Sequence, residues 1–295
     1  MMLPNPFHQV LHSLRHPGVY PFFPLRSAYV AQYALWQLEL LRTLPPVAPG
    51  EPKLTVILLS YNRVRNMQPI VRGLLRSGVV ERIIVSNNNP SYRIGEWISL
   101  RDERLELVDQ PHKTAPGIRF EFARKAPGSY FLSVDDDVFL TPRQVQRLFQ
   151  ELRANPRMPH GIQGENYVGM NAPPGPGQKV RRIPWDLGLQ RAERETDVLN
   201  CVYAFTREHV EEMFRLAGQL GRDVATLGNG EDILLSCSGQ GRPRIHDLGR
   251  VLMCLSAHQL GVATYRTREH FFQEREELLF SLRALQDKRA LRPAS

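Results

Sequence analysis

Tyr130-Phe131-Leu132-Ser133-Val134-Asp135-Asp136-Asp137-Val138-Phe139 is an apolar run that ends in three consecutive carboxylates and then turns apolar again. An uncharged, aromatic and aliphatic stretch behind Gly128 reads as a buried strand of a parallel sheet, where both faces are covered and alternation is not required. Adjacent like charges raise the cost of ionising one another unless something positive lies between them, and open parallel sheets bind ligands at the carboxyl ends of their strands. Because side chains along a strand alternate faces, Asp135 and Asp137 point to one side and Asp136 to the other. Two converging carboxylates suit a hard divalent cation. The plainer reading is a surface turn before a helix, since Asp bonds its own backbone and Thr141-Pro142 supply a cap and first position.

Working outward from this stretch, strand and helix signals alternate. Residues 54–59, 82–86, 105–108 and 130–134 read as strands, and residues 66–77, 117–125 and 142–154 as helices. Pro69 is placed in the first turn of its helix. Each strand ends in polar residues: Ser60-Tyr61-Asn62-Arg63, Asn87-Asn88-Asn89 and the three aspartates. The pattern predicts an α/β domain, a Rossmann-like, mostly parallel sheet flanked by helices, with those ends along one crevice. Further on, residues 198–205 read as a strand and residues 207–220 as a helix. Gly228-Asn229-Gly230 delivers Glu231-Asp232 to a helix start, where acids also complement the helix dipole. Residues 266–288 form a last helix. Asn171-Ala172-Pro173-Pro174-Gly175-Pro176-Gly177-Gln178 reads as a loop, either a lid over the crevice or a plain excursion, with Arg181-Arg182 beside it.

Residues 1–52 differ in texture and read as an appendage, with residues 53–295 as the main domain, divided near residue 140 into a nucleotide-binding half and an acceptor-side half. Tyr29, Tyr33, Trp36, Leu40 and Leu44 fall at helical spacing and predict one amphipathic helix over residues 27–43, docked on the domain core or, through residues 27–44, on a membrane surface.

The chain has 295 residues, 42% of them hydrophobic, and a formal net charge of +8 carried mostly by arginine. Arginine forks match phosphate and carboxylate, but no basic run is interleaved with stacking aromatics, which argues against nucleic acid. Cys201, Cys237 and Cys254 are too few and scattered for a disulfide framework or a zinc knuckle, and no signal peptide or membrane span is apparent. A cytoplasmic protein, with peripheral membrane contact at most, is the expectation.

With these residues in place, the chain resembles glycosyltransferases of the GT-A fold, most closely the exostosin-like family 64 and more broadly family 2. Residues 55–63 resemble the first strand and its nucleotide-contacting end. Val85-Ser86-Asn87-Asn88 is similar to the second, Thr114-Ala115 with Arg119 to the uridine and phosphate-binding helix, and residues 133–138 to the metal-binding triple aspartate. Gly230-Glu231-Asp232-Ile233 is similar to the later acidic motif, and residues 265–270 to a basic-aromatic element. The sequence departs from family 64 at Pro116-Gly117, at Gly230 where that family has cysteine, and in lacking its membrane anchor.

The resemblance implies a UDP sugar as donor, N-acetylhexosamines included, a glycan or other hydroxyl acceptor, and Mn²⁺ or Mg²⁺ held by Asp135 and Asp137. It assigns donor contacts to Ser60, Asn62, Arg63, Asn87, Arg119, Asp136 and Arg266, and catalysis to Glu231 and Asp232. Family 64, the closer resemblance, implies a retaining transferase, which is the expectation; family 2 implies inversion as the alternative. His246, His258 and His270 are candidate further ligands, more often structural. A nucleotidyltransferase is disfavoured because the first strand lacks a glycine-rich phosphate loop. A non-catalytic nucleotide-sugar-binding protein is the rival from another class.

Overall fold

The computed structural model describes residues 23–167, 181–182, 193–254 and 268–290. Arg266, His258 and the loop at residues 171–178 lie outside the described residues. Strand β1 (Leu54–Ser60) is buried along its whole length. It pairs in parallel with β2 (Val80–Asn87) on one side and β4 (Tyr130–Val134) on the other. β2 in turn pairs in parallel with β3 (Leu105–Asp109). These four strands therefore all point their carboxyl ends to one edge of the sheet, as the polar ends in the sequence predict.

Helices α2 (Val64–Leu75) and α3 (Ile118–Lys125) belong to the connections that make this parallel pairing possible. α2 starts earlier than predicted, so Pro69 lies inside the helix rather than in its first turn. Tertiary contacts outweigh the proline's lost hydrogen bond: Asn66 Nδ2 donates to Asp136 O at 2.6 Å, and Val64 and Met67 are buried. Helix α4 (Pro142–Ala154) has the predicted bounds, closed by a reciprocal capping box between Thr141 and Gln144.

Beyond β4 the sheet changes direction. β11 (Val202–Thr206) lies antiparallel to β4, with Val202 opposite Val134 and Thr206 opposite Tyr130. β6 (His160–Gly161) follows β11, then β12 (Arg244–Ile245) and β9 (Arg194–Glu195), giving the order β3-β2-β1-β4-β11-β6-β12-β9. The predicted strand at residues 198–205 is two strands. β10 (Val198–Leu199) joins a small sheet with β7 (Gly164–Asn166) and β8 (Arg181–Arg182). The break falls at Cys201, whose φ of 65° turns the chain. β5 (Val138–Phe139) and β13 (Leu252–Met253) form a further pair. Two-residue strands are too short to show a period, so the sequence does not announce them.

The sheet separates two cores. Leu54, Val56 and Leu58 of β1 point into one, together with α2 and α4, while Ile57 points into the other. That second core holds side chains of α3, α5 (Arg207–Gln219), α6 (Glu231–Ser236) and α7 (Phe271–Ala290). Helix α1 (Phe23–Glu39) belongs to the first: Tyr33 and Trp36, with Leu40 just beyond it, are buried there. Trp36 Nε1 donates to Leu140 O at 3.1 Å, and its ring meets Phe139 edge-on at 5.4 Å. Gly73 permits this approach, since a Cβ there would stand 2.9 Å from Leu140 O. The N-terminal helix is thus packed as part of the main domain's core. Its other side leaves Leu35, Leu38 and Leu41 exposed. Among the described residues no helix is long and apolar enough to cross a membrane.

Trp36→Ala removes a buried ring and leaves a void against Phe139 and Leu140. It is expected to cost about 3–5 kcal/mol, read as a lower urea midpoint at unchanged m-value.

Candidate active site

The carboxyl ends of β1 and β4 bring together the acid cluster. β4 stops at Val134, and a turn closed by Val138 N–H donating to Asp135 O at 3.2 Å carries the three aspartates. The strict alternation expected from the sequence therefore does not reach them. Asp136 and Asp137 share one cation, Arg63, whose Nη1 lies 2.7 Å from Asp136 Oδ1 and 3.5 Å from Asp137 Oδ2. The backbone N–H of Tyr61 donates to the other oxygen of Asp136 at 3.3 Å. Asp135 is bonded instead to Arg119, whose Nη1 donates to its Oδ1 at 2.7 Å and to Ser133 Oγ at 3.2 Å.

Arg119 is buried on α3, at the head of the helix where Gly117 sits against Val224. Buried Arg119 and half-buried Arg63 offset the mutual repulsion that the sequence places here. They do not fully offset it at Asp137. Burial pushes that carboxyl up to about 7, Arg63 pulling against it and Asp135 and Asp136 adding to it. Its Oδ1 is buried without a hydrogen-bond partner, as are Ser60 Oγ at the end of β1 and Thr114 Oγ1 ahead of α3. Buried polar atoms are normally paired, so a group of orphans at a strand-end crevice points to a ligand. An orphaned carboxylate oxygen beside other carboxylates fits a hard divalent cation.

The asparagines differ in what they can offer. Asn87 Nδ2 donates to Asn89 O, Tyr92 O and Asp109 Oδ1, the last at 2.8 Å, so its amide is committed to bracing the loop after β2. Asn62 is exposed and accepts from Asn89 Nδ2 at 3.1 Å. The partly exposed ring of Tyr61 carries the ammonium of Lys113 4.8 Å from its centroid. This makes a flat, cationic ledge at the same edge.

The second acidic motif sits at the start of α6, delivered by Gly230 with φ 93°, a conformation that favours glycine. Its two acids have different surroundings. Asp232 is gripped by Arg275 of α7, with Nη1 at 2.8 Å from Oδ1 and Nη2 at 2.7 Å from Oδ2. Arg275 is 4% exposed and also reaches Tyr167 OH at 3.2 Å and Glu165 Oε2 at 3.4 Å. Glu231 has no such fork. Burial and the neighbouring Asp232 push its carboxyl up to about 7, while Arg119 pulls the other way. Arg119 thus interacts with Asp135 and Glu231 alike, which puts the two acidic motifs within one electrostatic site. Tyr203 lies between the motifs, its hydroxyl pushed well up by burial and by the charges of Asp135 and Asp232.

Sequence reasoning missed Arg275, Glu165, Tyr167 and Tyr203. Arg275 lies inside a helix rich in charge, where an arginine is ordinarily solvated, and only tertiary packing buries it. Of the candidate histidines, His246 pairs with His160 away from the aspartates, and His270 is exposed.

Comparison with family models gives a match to glycosyl transferase family 2 over residues 55–214, more than half of the chain. Comparison with curated proteins returns no match. Among solved structures, GalNAc-T7 with UDP, GalNAc and Mn²⁺ is similar at 12% identity and a TM-score of 0.49, covering 68% of this chain and 42% of that one. TarS of S. aureus, residues 1–349, is similar at 13% identity and a TM-score of 0.43, covering 68% and 59%. The chain therefore spans less than two thirds of either neighbour, and both likenesses are weak.

Removing one partner of a buried ion pair leaves the other uncompensated. Arg275→Met should therefore destabilise the protein by about 3–5 kcal/mol. Adding Asp232→Asn should recover part of that loss in a double-mutant cycle by chemical denaturation.

Proposed function

This chain belongs to glycosyl transferase family 2, and from that premise we propose that it moves a sugar from a UDP sugar to a hydroxyl acceptor, a glycan among them, with inversion of configuration. The observation that supports this reading best is the cluster at the carboxyl ends of β1 and β4. Three aspartates, the buried Arg119, the half-buried Arg63 and orphaned polar atoms at Ser60, Thr114 and Asp137 lie at one edge.

In this reading Asp137, through its orphaned Oδ1, and Asp135 hold a Mn²⁺ or Mg²⁺ ion. Such an ion, when bound, neutralises the diphosphate and acts as Lewis acid and template for its departure. Arg63 and Arg119 stand beside those acids and take up charge developing on the leaving diphosphate. Asp136, with both oxygens engaged by Arg63 and the Tyr61 N–H, holds the arginine in place. Tyr61 offers a ledge for the base, and Ser60 and Asn62 offer hydrogen bonds to the nucleoside.

Inversion requires a carboxylate that removes the acceptor's proton as its oxygen attacks the anomeric carbon opposite the leaving group. Asp232 is engaged by the Arg275 fork, whereas Glu231 is raised toward neutrality and is the better placed to take a proton. We therefore assign the base to Glu231 and assign Asp232 to anchoring the start of α6. The family 2 match favours this route over the retaining one that the likeness to family 64 implies. A non-catalytic binding protein has no use for a second buried acid pair facing the first.

The decisive assay is UDP release from a panel of UDP sugars with Mn²⁺ or Mg²⁺. Asp137→Asn should abolish turnover and weaken UDP binding only when metal is present; equal loss with and without metal would show a role in the fold instead. Because a base at about 7 acts only when deprotonated, kcat/KM should rise through that pH and level off above it. Glu231→Gln should lower kcat by about 10²–10⁴ and flatten that limb. NMR of the product's anomeric centre tests inversion; a retained linkage would overturn it.

A further inference from the structure

Away from the acid cluster, a second group of ligating side chains converges. Glu151 lies in the last turns of α4, about 13 Å along the helix from Pro142. Glu193 directly precedes edge strand β9, and His246 directly follows β12. One ligand atom from each lies within 4.8 Å of the others. We propose that Glu151, Glu193 and His246 form a second divalent-cation site, of the borderline kind that suits Zn²⁺, which ties the antiparallel edge of the sheet to α4.

The hydrogen bonds around His246 carry the argument. His160 Nε2 lies 2.8 Å from the carbonyl oxygen of Asn155, which can only accept, so that nitrogen holds a proton. Neutral His160 therefore presents an unprotonated Nδ1, and His246 Nε2 at 2.8 Å must donate to it. For neutral His246 this fixes the tautomer. Its Nδ1 carries a lone pair, is buried without a hydrogen-bond partner, and faces Glu193 Oε1 at 3.8 Å and Glu151 Oε2 at 3.9 Å. His246 is 2% exposed, so water does not reach this nitrogen, while the carboxylates of Glu151 and Glu193 keep partial access to solvent.

A positive charge among the three satisfies them, either a proton on His246 Nδ1 or a metal ion. Arg147 reaches Glu151 Oε1 at 2.6 Å and Glu193 Oε1 at 3.8 Å, but its side chain is 56% exposed. It leaves Glu151 Oε2 and His246 Nδ1 unmatched. A zinc ion with bonds of about 2.1 Å needs ligand atoms roughly 3.4 Å apart; the ligand atoms here lie within 4.8 Å of one another, so His246 closes on each carboxylate by a few tenths of an ångström and the two carboxylates swing together by up to about 1.4 Å to complete a three-ligand shell with water in the remaining position. The His246–His160–Asn155 chain is then the outer support that fixes a metal-bound imidazole.

The site is separate from the proposed donor chemistry, so its test stands apart from that reading. The chelator-stripped full chain is titrated with Zn²⁺ by calorimetry, with Mg²⁺ in excess to occupy the acid cluster. One equivalent should bind and Tm should rise with Zn²⁺ concentration. Glu193 is largely at the surface, so Glu193→Gln should fold normally, keep its metal-free Tm and bind Zn²⁺ at least about tenfold more weakly. Co²⁺ in place of Zn²⁺ should give the intense visible bands of a four-coordinate site, lost in Glu193→Gln. Zn²⁺ isotherms unchanged in both Glu193→Gln and Glu151→Gln would overturn the proposal, as would a weak six-coordinate Co²⁺ spectrum.

Discussion

Acid buried at the ends of strands is the constraint that shapes this molecule. Asp135, Asp136 and Asp137 follow directly on β4 in the middle of the sheet, where the strand is covered on both faces. Carboxylates so placed stay ionised only if cations reach them, and the reach is supplied from two directions. Arg63 comes from the turn that caps α2, and Arg119 from the first turn of α3. Each arginine therefore fixes the head of one crossover helix against the end of β4. The electrostatics of the site and the packing of the parallel half are one arrangement.

The antiparallel half repeats the solution with different elements. Glu231 and Asp232 are carried into the interior by a left-handed Gly230, and Arg275 from the last described helix answers them with a two-bond fork. Because Arg275 also touches Glu165 and Tyr167, it joins β7, α6 and α7 around one guanidinium. The turn at Cys201, whose carbonyl accepts from Asp135 N–H at 2.9 Å, links this half back to the first acid. The acids that are matched by arginine hold the framework. Those less completely matched, Asp137 and Glu231, are pushed up to about 7 and have chemical work assigned to them, as does Asp135 although Arg119 pairs with it.

The first core shows how an N-terminal helix of distinct composition becomes structural. Trp36 and Tyr33 close over Phe139, the residue two beyond the last aspartate, and the Trp36 indole satisfies the carbonyl of Leu140. The segment that leaves the acid cluster is thereby clamped between α1, α2 and β13. An element that the sequence marks as an appendage thus holds the segment that follows the acid cluster.

The sequence by itself determined the parallel half and its polar edge. Long buried strands such as residues 54–59 and 130–134 carry their signal locally, as does the Thr141–Gln144 capping box, and the order of Arg63, Asp135–Asp137 and Glu231–Asp232 along the chain already suggests one crevice. Only the tertiary structure decided which acid meets which arginine. The turn after Val134 ends the alternation, so Asp136 and Asp137 share Arg63 while Asp135 takes Arg119. Asn87, legible as a ligand contact, is spent on its own loop. Arg275 and the His160–His246 pair are invisible in sequence because partners separated by 43 and 86 residues have no local period to reveal them. Their meeting depends on the order β11-β6-β12-β9, which is set by two-residue strands that hold register through packing rather than through any pattern of their own.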